Sequence, residues 1–190
     1  MLGISDMLGA ITAGDGLARP NLFQVILPRI SGSNIDLPNL NLLCKNAQLP
    51  LRQIITNERV IGSKTEKIAY ASASEDVSLT FYVTNDYSVK KYFDAWQDLV
   101  INPDTYELNY KVGTNGYGKE VVINQLAKNV KGFISSARFN EFANKKIIYS
   151  CILEQAFPTS MNAIELSNEA NGLVELNVQL SYTKWKVRSV

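Results

Sequence analysis

Val174-Glu175-Leu176-Asn177-Val178-Gln179-Leu180-Ser181-Tyr182-Thr183 alternates an apolar with a polar side chain at every step. Successive side chains of an extended chain point to opposite faces, so this stretch reads as a half-buried β-strand. Beyond it the phase slips by one, because Trp185 and Val187 become the apolar positions. A slip of one residue implies a bulge or bend near Tyr182–Lys184. The second face, Glu175, Asn177, Gln179, Ser181 and Thr183, is polar but nearly uncharged. Solvated strands of a monomer usually carry more Lys and Glu, which guard against edge pairing. A neutral polar face suits a water-lined wall or a hydrogen-bonded contact between subunits, with plain solvent exposure as the ordinary alternative.

Working outward, the same period of two recurs. Val77, Leu79, Phe81 and Val83 alternate with Ser78, Thr80, Tyr82 and Thr84, and Tyr106, Leu108, Tyr110 and Val112 alternate with polar residues. Ile147, Tyr149, Cys151 and Leu153 form another row, and Leu22–Pro28 opens the strand-like part of the chain. One segment differs. Val89, Tyr92, Phe93, Trp96, Leu99 and Val100 recur at spacings of three and four, the core face of an amphipathic helix. Asn85, Asp86 or Ser88 can cap its start, Lys90 and Asp94 stand one turn apart, and Asn102-Pro103 ends it. The fold expected is mainly β, a sandwich or barrel with one packed amphipathic helix.

Residues 1–18 combine Leu2, Ile4, Met7, Leu8 and Ile11 with several glycines, a weak helix that reads as an arm awaiting a partner. Residues 19–190 then form one domain. Polar turn chemistry marks Ser31–Asn41, and Gly113-Thr114-Asn115-Gly116 has the Asn-Gly pair of a hairpin turn.

The composition excludes several functions. The formal net charge of +1 lacks the clustered basic excess of a dedicated nucleic-acid binder, and the chain contains no histidine, the commonest general base and imidazole metal ligand. Cys44 and Cys151 are far apart and read as reduced, buried small hydrophobes. No apolar run approaches the roughly 20 residues of a membrane helix, and the N-terminus has no basic start followed by an apolar block. Gly113 to Lys119 comes near a phosphate-binding loop, but Glu120 stands where Ser or Thr would hold magnesium, and Val121-Val122-Ile123 continues as a strand. Glu75-Asp76 are adjacent on a strand and point apart, a poor acid–base pair. No enzymatic activity, cofactor or metal is expected.

Ala18-Arg19-Pro20-Asn21-Leu22-Phe23-Gln24-Val25 resembles the start of the first strand in tail tube proteins of T-even-type contractile phages. Cys44-Lys45-Asn46-Ala47-Gln48-Leu49-Pro50 is similar to the family's short second strand ending in Leu-Pro. Thr84-Asn85-Asp86 with Tyr92-Phe93-Asp94-Ala95-Trp96-Gln97 resembles its strand-to-helix junction. Phe157-Pro158-Thr159-Ser160, Ile164-Glu165-Leu166 and Glu175–Trp185 resemble its C-terminal unit. The four stretches come in the family's order and span roughly residues 18–187.

The resemblance implies a sandwich or barrel of two antiparallel sheets with the helix on the outside, and six subunits in a ring whose inner sheets join into one barrel. Rings stack into a tube that a contracting sheath drives through the host envelope, and DNA then passes along the lumen without specific binding. It implies a homo-oligomer in a virion tail, assembled in the bacterial cytoplasm, with sheath, baseplate or tube-initiator and tape-measure proteins as partners and no membrane anchor. A loop or hairpin after the Leu-Pro position meets the neighbouring ring in that family. By position this is Leu51–Ala71, with Arg52, Gln53, Ile54, Ile55, Asn57, Glu58 and Val60 as contact candidates. The chain is longer than the simplest family members, with insertions near 31–41 and 104–119. A tube of a related contractile injection apparatus shares these features, and a monomeric ligand-binding β-barrel is the rival of a different class.

Overall fold

The computed structural model describes residues 3–13, 16–31, 35–113, 116–126, 147–167 and 172–188. In chain order the elements are α1 (Ile4–Ala13), β1 (Phe23–Ile26), α2 (Leu37–Leu42), β2 (Cys44–Ala47), β3 (Arg52–Ile61), β4 (Lys64–Ser74), β5 (Val77–Tyr82), α3 (Ser88–Val100), β6 (Lys119–Leu126), β7 (Ile147–Met161), β8 (Glu175–Ser181) and β9 (Lys184–Arg188).

Six strands follow one hydrogen-bonded path, β1-β6-β7-β8-β5-β2, a seventh, β9, pairs with β7 off that path, and β3-β4 form a separate two-stranded sheet. Every pairing is antiparallel. The path folds into two layers because β7 serves both. Residues up to Ala156 pair with β6 and β9, and Phe157 to Met161 pair with β8. The turnover sits at Gln155, whose φ is 53°. Cys151 and Leu153 are buried before it and Ala156 and Pro158 after it, so one extra residue moves the buried face from odd to even positions. The slip near Tyr182–Lys184 is the matching corner on the other strand, since β8 ends at Ser181 and β9 starts at Lys184. The two corners are tied together. Thr183 N–H donates to the Glu154 carbonyl at 3.1 Å, and its hydroxyl donates to Gln155 Oε1 at 2.9 Å.

The core lies between the layers. Val25, Ile123, Cys151 and Leu153 from one side meet Val77, Leu79, Phe81, Leu176, Val178 and Leu180 from the other. α3 closes the sandwich with Val89, Tyr92, Phe93 and Trp96 fully buried, while Leu99 and Val100 are half-buried. Phe93 stacks beside Trp96 and meets Phe81 with ring centroids 5.3 Å apart. Two polar tips are satisfied as buried aromatics require: Tyr92 Oη donates to the Pro28 carbonyl at 2.6 Å, and Trp96 Nε1 to the Tyr117 carbonyl at 2.9 Å. Lys90 Nζ and Asp94 pair at 2.8 Å. At the helix start Tyr87 takes the capping position in the left-handed region, while Asp86 accepts hydrogen bonds from the Thr84 hydroxyl and the Ser88 N–H.

Two expectations are corrected. Residues 106–112 are not a strand. Their only ladder contact among the described residues is the bridge Ile101↔Leu108, and Tyr106, Leu108, Tyr110 and Val112 are 66–88% exposed. Alternation supplies the side chains of a strand but not a neighbouring edge, and here the chain folds back on the end of α3. Asn109 N–H donates to the Val100 carbonyl, and Asn109 Nδ2 to the Leu99 carbonyl. The polar excursion of 31–41 holds a helical turn, α2, whose Leu40 is in the core; residues 32–34 lie outside the described residues. Thr114 and Asn115 of the expected hairpin turn also lie outside them. Beside that turn Gly116 and Gly118 permit a close backbone approach, since a Cβ would lie 2.7 Å and 2.8 Å from the Lys111 carbonyl oxygen.

Candidate assembly surfaces

The hairpin β3-β4 stands apart from the sandwich. All ten β3 residues are exposed, so Arg52, Gln53, Ile54, Ile55, Asn57, Glu58 and Val60 share one projecting strand. They do not share a face. Ile54 and Ile55 point oppositely, and a bulge between Ile55 and Thr56 leaves Tyr70 as the extra residue on β4. Glu58 opposes Lys67 and Arg59 opposes Glu66, which favours the register. Ile54 (63% exposed), Val60, Ile61, Ile68 and Tyr70 present apolar surface to solvent. An isolated two-stranded hairpin is marginal in water, and exposed apolar surface on one marks a candidate contact region. Sequence reading did not single out Ile61, Ile68 or Tyr70, because β4 is mostly Lys, Ala and Ser and shows no clean alternation.

The polar row of β8 lies on the outward face of the second layer. There the Ser78 hydroxyl donates to Asn177 Oδ1 at 3.1 Å, Asn177 Nδ2 to the Thr80 hydroxyl at 3.4 Å, and the Ser160 hydroxyl to Gln179 Oε1 at 3.2 Å. Lys45 Nζ reaches Glu175 Oε1 at 2.5 Å and lies 5.4 Å from the Tyr82 ring centroid. The Glu175 hydrogen bond raises the Lys45 pKa above its ordinary value. Glu175, Asn177, Gln179 and Ser181 are therefore brought together with β2, β5 and the end of β7. Thr183 is not among them, since it belongs to the corner with Gln155.

Two further surfaces are apolar and open. α1 has no buried residue, with Ile4 82% and Met7 65% exposed. The 102–113 loop is anchored, with Lys111 Nζ 4.9 Å from the Phe157 ring centroid, yet it shows its four large side chains to solvent. The residues that suggested chemistry have structural places. Asp76 accepts a hydrogen bond from the Thr159 hydroxyl, and Lys119 opens a strand and not a helix. Cys44 and Cys151 are free, and burial pushes their thiols up to about 12 and about 11. Among the described residues no helix is long and apolar enough to cross a membrane.

Several solved structures share the antiparallel two-layer fold of this chain. One is the sheath/tube terminator of the PVC extracellular contractile injection system in its extended state, with TM-score 0.56 and 13% identity over 90% of this chain and 96% of that one. The anti-feeding prophage baseplate gives TM-score 0.57 and 14% identity over 90% and 95%. The PVC sheath-tube complex in its extended state gives 0.55 and 15% over 92% and 93%. No curated protein sequence matches. A family model described as phage tail tube protein matches residues 18–188. The chain belongs to the phage tail tube protein family, whose members are structural and not enzymatic.

Proposed function

We propose that this tail tube subunit assembles into hexameric rings that stack as the inner tube of a contractile phage tail, the conduit for DNA ejection through the host envelope. The observation that carries the reading is the β3-β4 hairpin, a projecting arm whose Ile54, Val60, Ile61, Ile68 and Tyr70 find no cover within the subunit. Arg52 to Val60 meet the adjacent ring. The layer β7-β8-β5-β2 closes side by side with its copies, and the row Glu175, Asn177, Gln179 and Ser181 faces the lumen. Six copies of four strands at about 4.8 Å spacing give a backbone barrel roughly 37 Å across before tilt, which leaves an aqueous channel. Sheath, baseplate or initiator and tape-measure proteins are its partners in the virion tail, and assembly takes place in the bacterial cytoplasm. The arm 1–18 and the 104–119 insertion offer contacts outside the 19–190 domain's sandwich.

Negative-stain electron microscopy of the purified subunit, alone and with tube seeds, tests this. Hollow rods or stacked rings support it, and a subunit that stays monomeric with seeds present overturns it. The structural likeness to extracellular contractile injection systems favours a second reading, the same tube in a particle without a genome. Particles purified from producing cells separate the two by the presence of a DNA-filled capsid.

A further inference from the structure

The hairpin is long, and its aim is set at its root. Ten residues of β3 extend about 33 Å, so an angular slack of 10° at the root moves the tip by about 6 Å, more than a van der Waals contact. The root pair is Arg52↔Ser74. The Arg52 guanidinium carbon lies 4.8 Å from the centroid of the Trp185 ring, and Ser74 lies beside Tyr182, which is 8% exposed. Both strands of the hairpin therefore rest on the corner where the chain leaves β8 for β9. That corner is held from below. Trp185 stands opposite Leu153, and Thr183 is bonded to Glu154 and Gln155.

We propose that the Tyr182–Trp185 corner is the seat that fixes the direction of the hairpin, with Arg52 and Trp185 as its positioning pair. The inference rests on the reading that the hairpin bridges rings. It adds to Arg52's place in the inter-ring contact a positioning role inside its own subunit. It also couples the arm to β8, because the seat is the continuation of the strand that carries the polar row.

The test uses the full chain with Arg52→Gln, Arg52→Lys, Trp185→Leu and the double variant Arg52→Gln/Trp185→Leu. Hydrogen exchange in the unassembled subunit reads the seat without requiring tubes. A cation over an exposed aromatic ring corresponds to about a two- to fivefold change, so Arg52→Gln is expected to speed hairpin amide exchange by that factor while β6 and β7 stay unchanged. The critical concentration for tube growth should rise by at least as much, with Arg52→Lys between the two. In the Trp185→Leu background Arg52→Gln should add nothing to either readout. Unchanged hairpin exchange in Arg52→Gln, or effects that add in the double variant, would overturn the seat. Absence of tubes from the wild-type chain with seeds would overturn the ring-bridging reading separately, and the exchange data would still decide the seat.

Discussion

Truncation of Ile54 separates assembly from folding. Ile54 keeps 63% of its surface exposed in the subunit, so folding gains little from it. Full burial of an Ile side chain contributes about 1.5–3 kcal/mol, which leaves roughly 1–2 kcal/mol available only when a neighbour covers it. Ile54→Ala retains the β-carbon and so forfeits about 1 kcal/mol per subunit, equivalent to about a fivefold rise in critical concentration. A ring junction made of six such contacts weakens by about 6 kcal/mol if distant sites add. The assay is sedimentation of tubes across a dilution series, with urea unfolding of the unassembled variant alongside. The unfolding free energy should stay within about 0.5 kcal/mol of wild type, as for exposed sites generally. A critical concentration that does not move refutes the contact. A fall in subunit stability that matches the assembly defect refutes the claim that Ile54 is kept for a neighbour.

Trp96→Phe should destabilise the subunit by about 2–3 kcal/mol, since it strips the donor from the Tyr117 carbonyl and leaves a shallow cavity beside Phe93; denaturant titration measures it. The Lys186 hydrogen bond, with Lys184 beside it, holds the Glu154 carboxyl below the ordinary carboxylate range. Its stabilisation is present above the unfolded-state pKa and is lost as pH falls through the depressed folded value, so Glu154→Gln should flatten the acid limb of the unfolding-midpoint profile. With Cys44 and Cys151 raised by burial to about 12 and about 11, a thiol reagent at pH 8 should react slowly with the native subunit and at the rate of ordinary thiols in denaturant. Equal rates in the two states would show that the thiols are not protected by the fold.

The elements that could be read from sequence are those whose environment repeats along the chain. β5 and β8 each present one face to the core throughout, so their period of two survives, and α3 keeps its stripe because one side packs on the sandwich. Even the corner after Tyr182 was visible, because it changes which residues are apolar. β7 was harder, since its buried face switches at Gln155 and the pattern cancels over its length. The 106–112 segment has the pattern of a strand without an edge to pair with, and no local signal reports that absence. The extent of the hairpin was legible only through resemblance. Its β3 side chains are all exposed, so burial within the chain leaves no mark on them. The contact of Arg52 with Trp185 joins residues far apart in sequence, and neither residue type nor spacing announces it.

The polar row of β8 bears on the proposed passage of a polyanion. Grip on phosphate scales with the number of free cations, because each one releases condensed counterions from the nucleic acid. On this face Lys45 is already paired with Glu175, and the amides and hydroxyls of Asn177, Gln179, Ser78, Thr80 and Ser160 are bonded to one another. Such a surface stays wetted while offering few donors to phosphate, a combination that neither an apolar nor a basic wall provides. Apart from Lys45, paired with Glu175, the strands of the second layer carry no lysine, whereas on β9 of the other layer Lys184 and Lys186 flank Glu154. Charge in this subunit is thus segregated by layer. The layer we assign to the lumen is the neutral one, and the layer behind it carries the lysines and the arginine of β9.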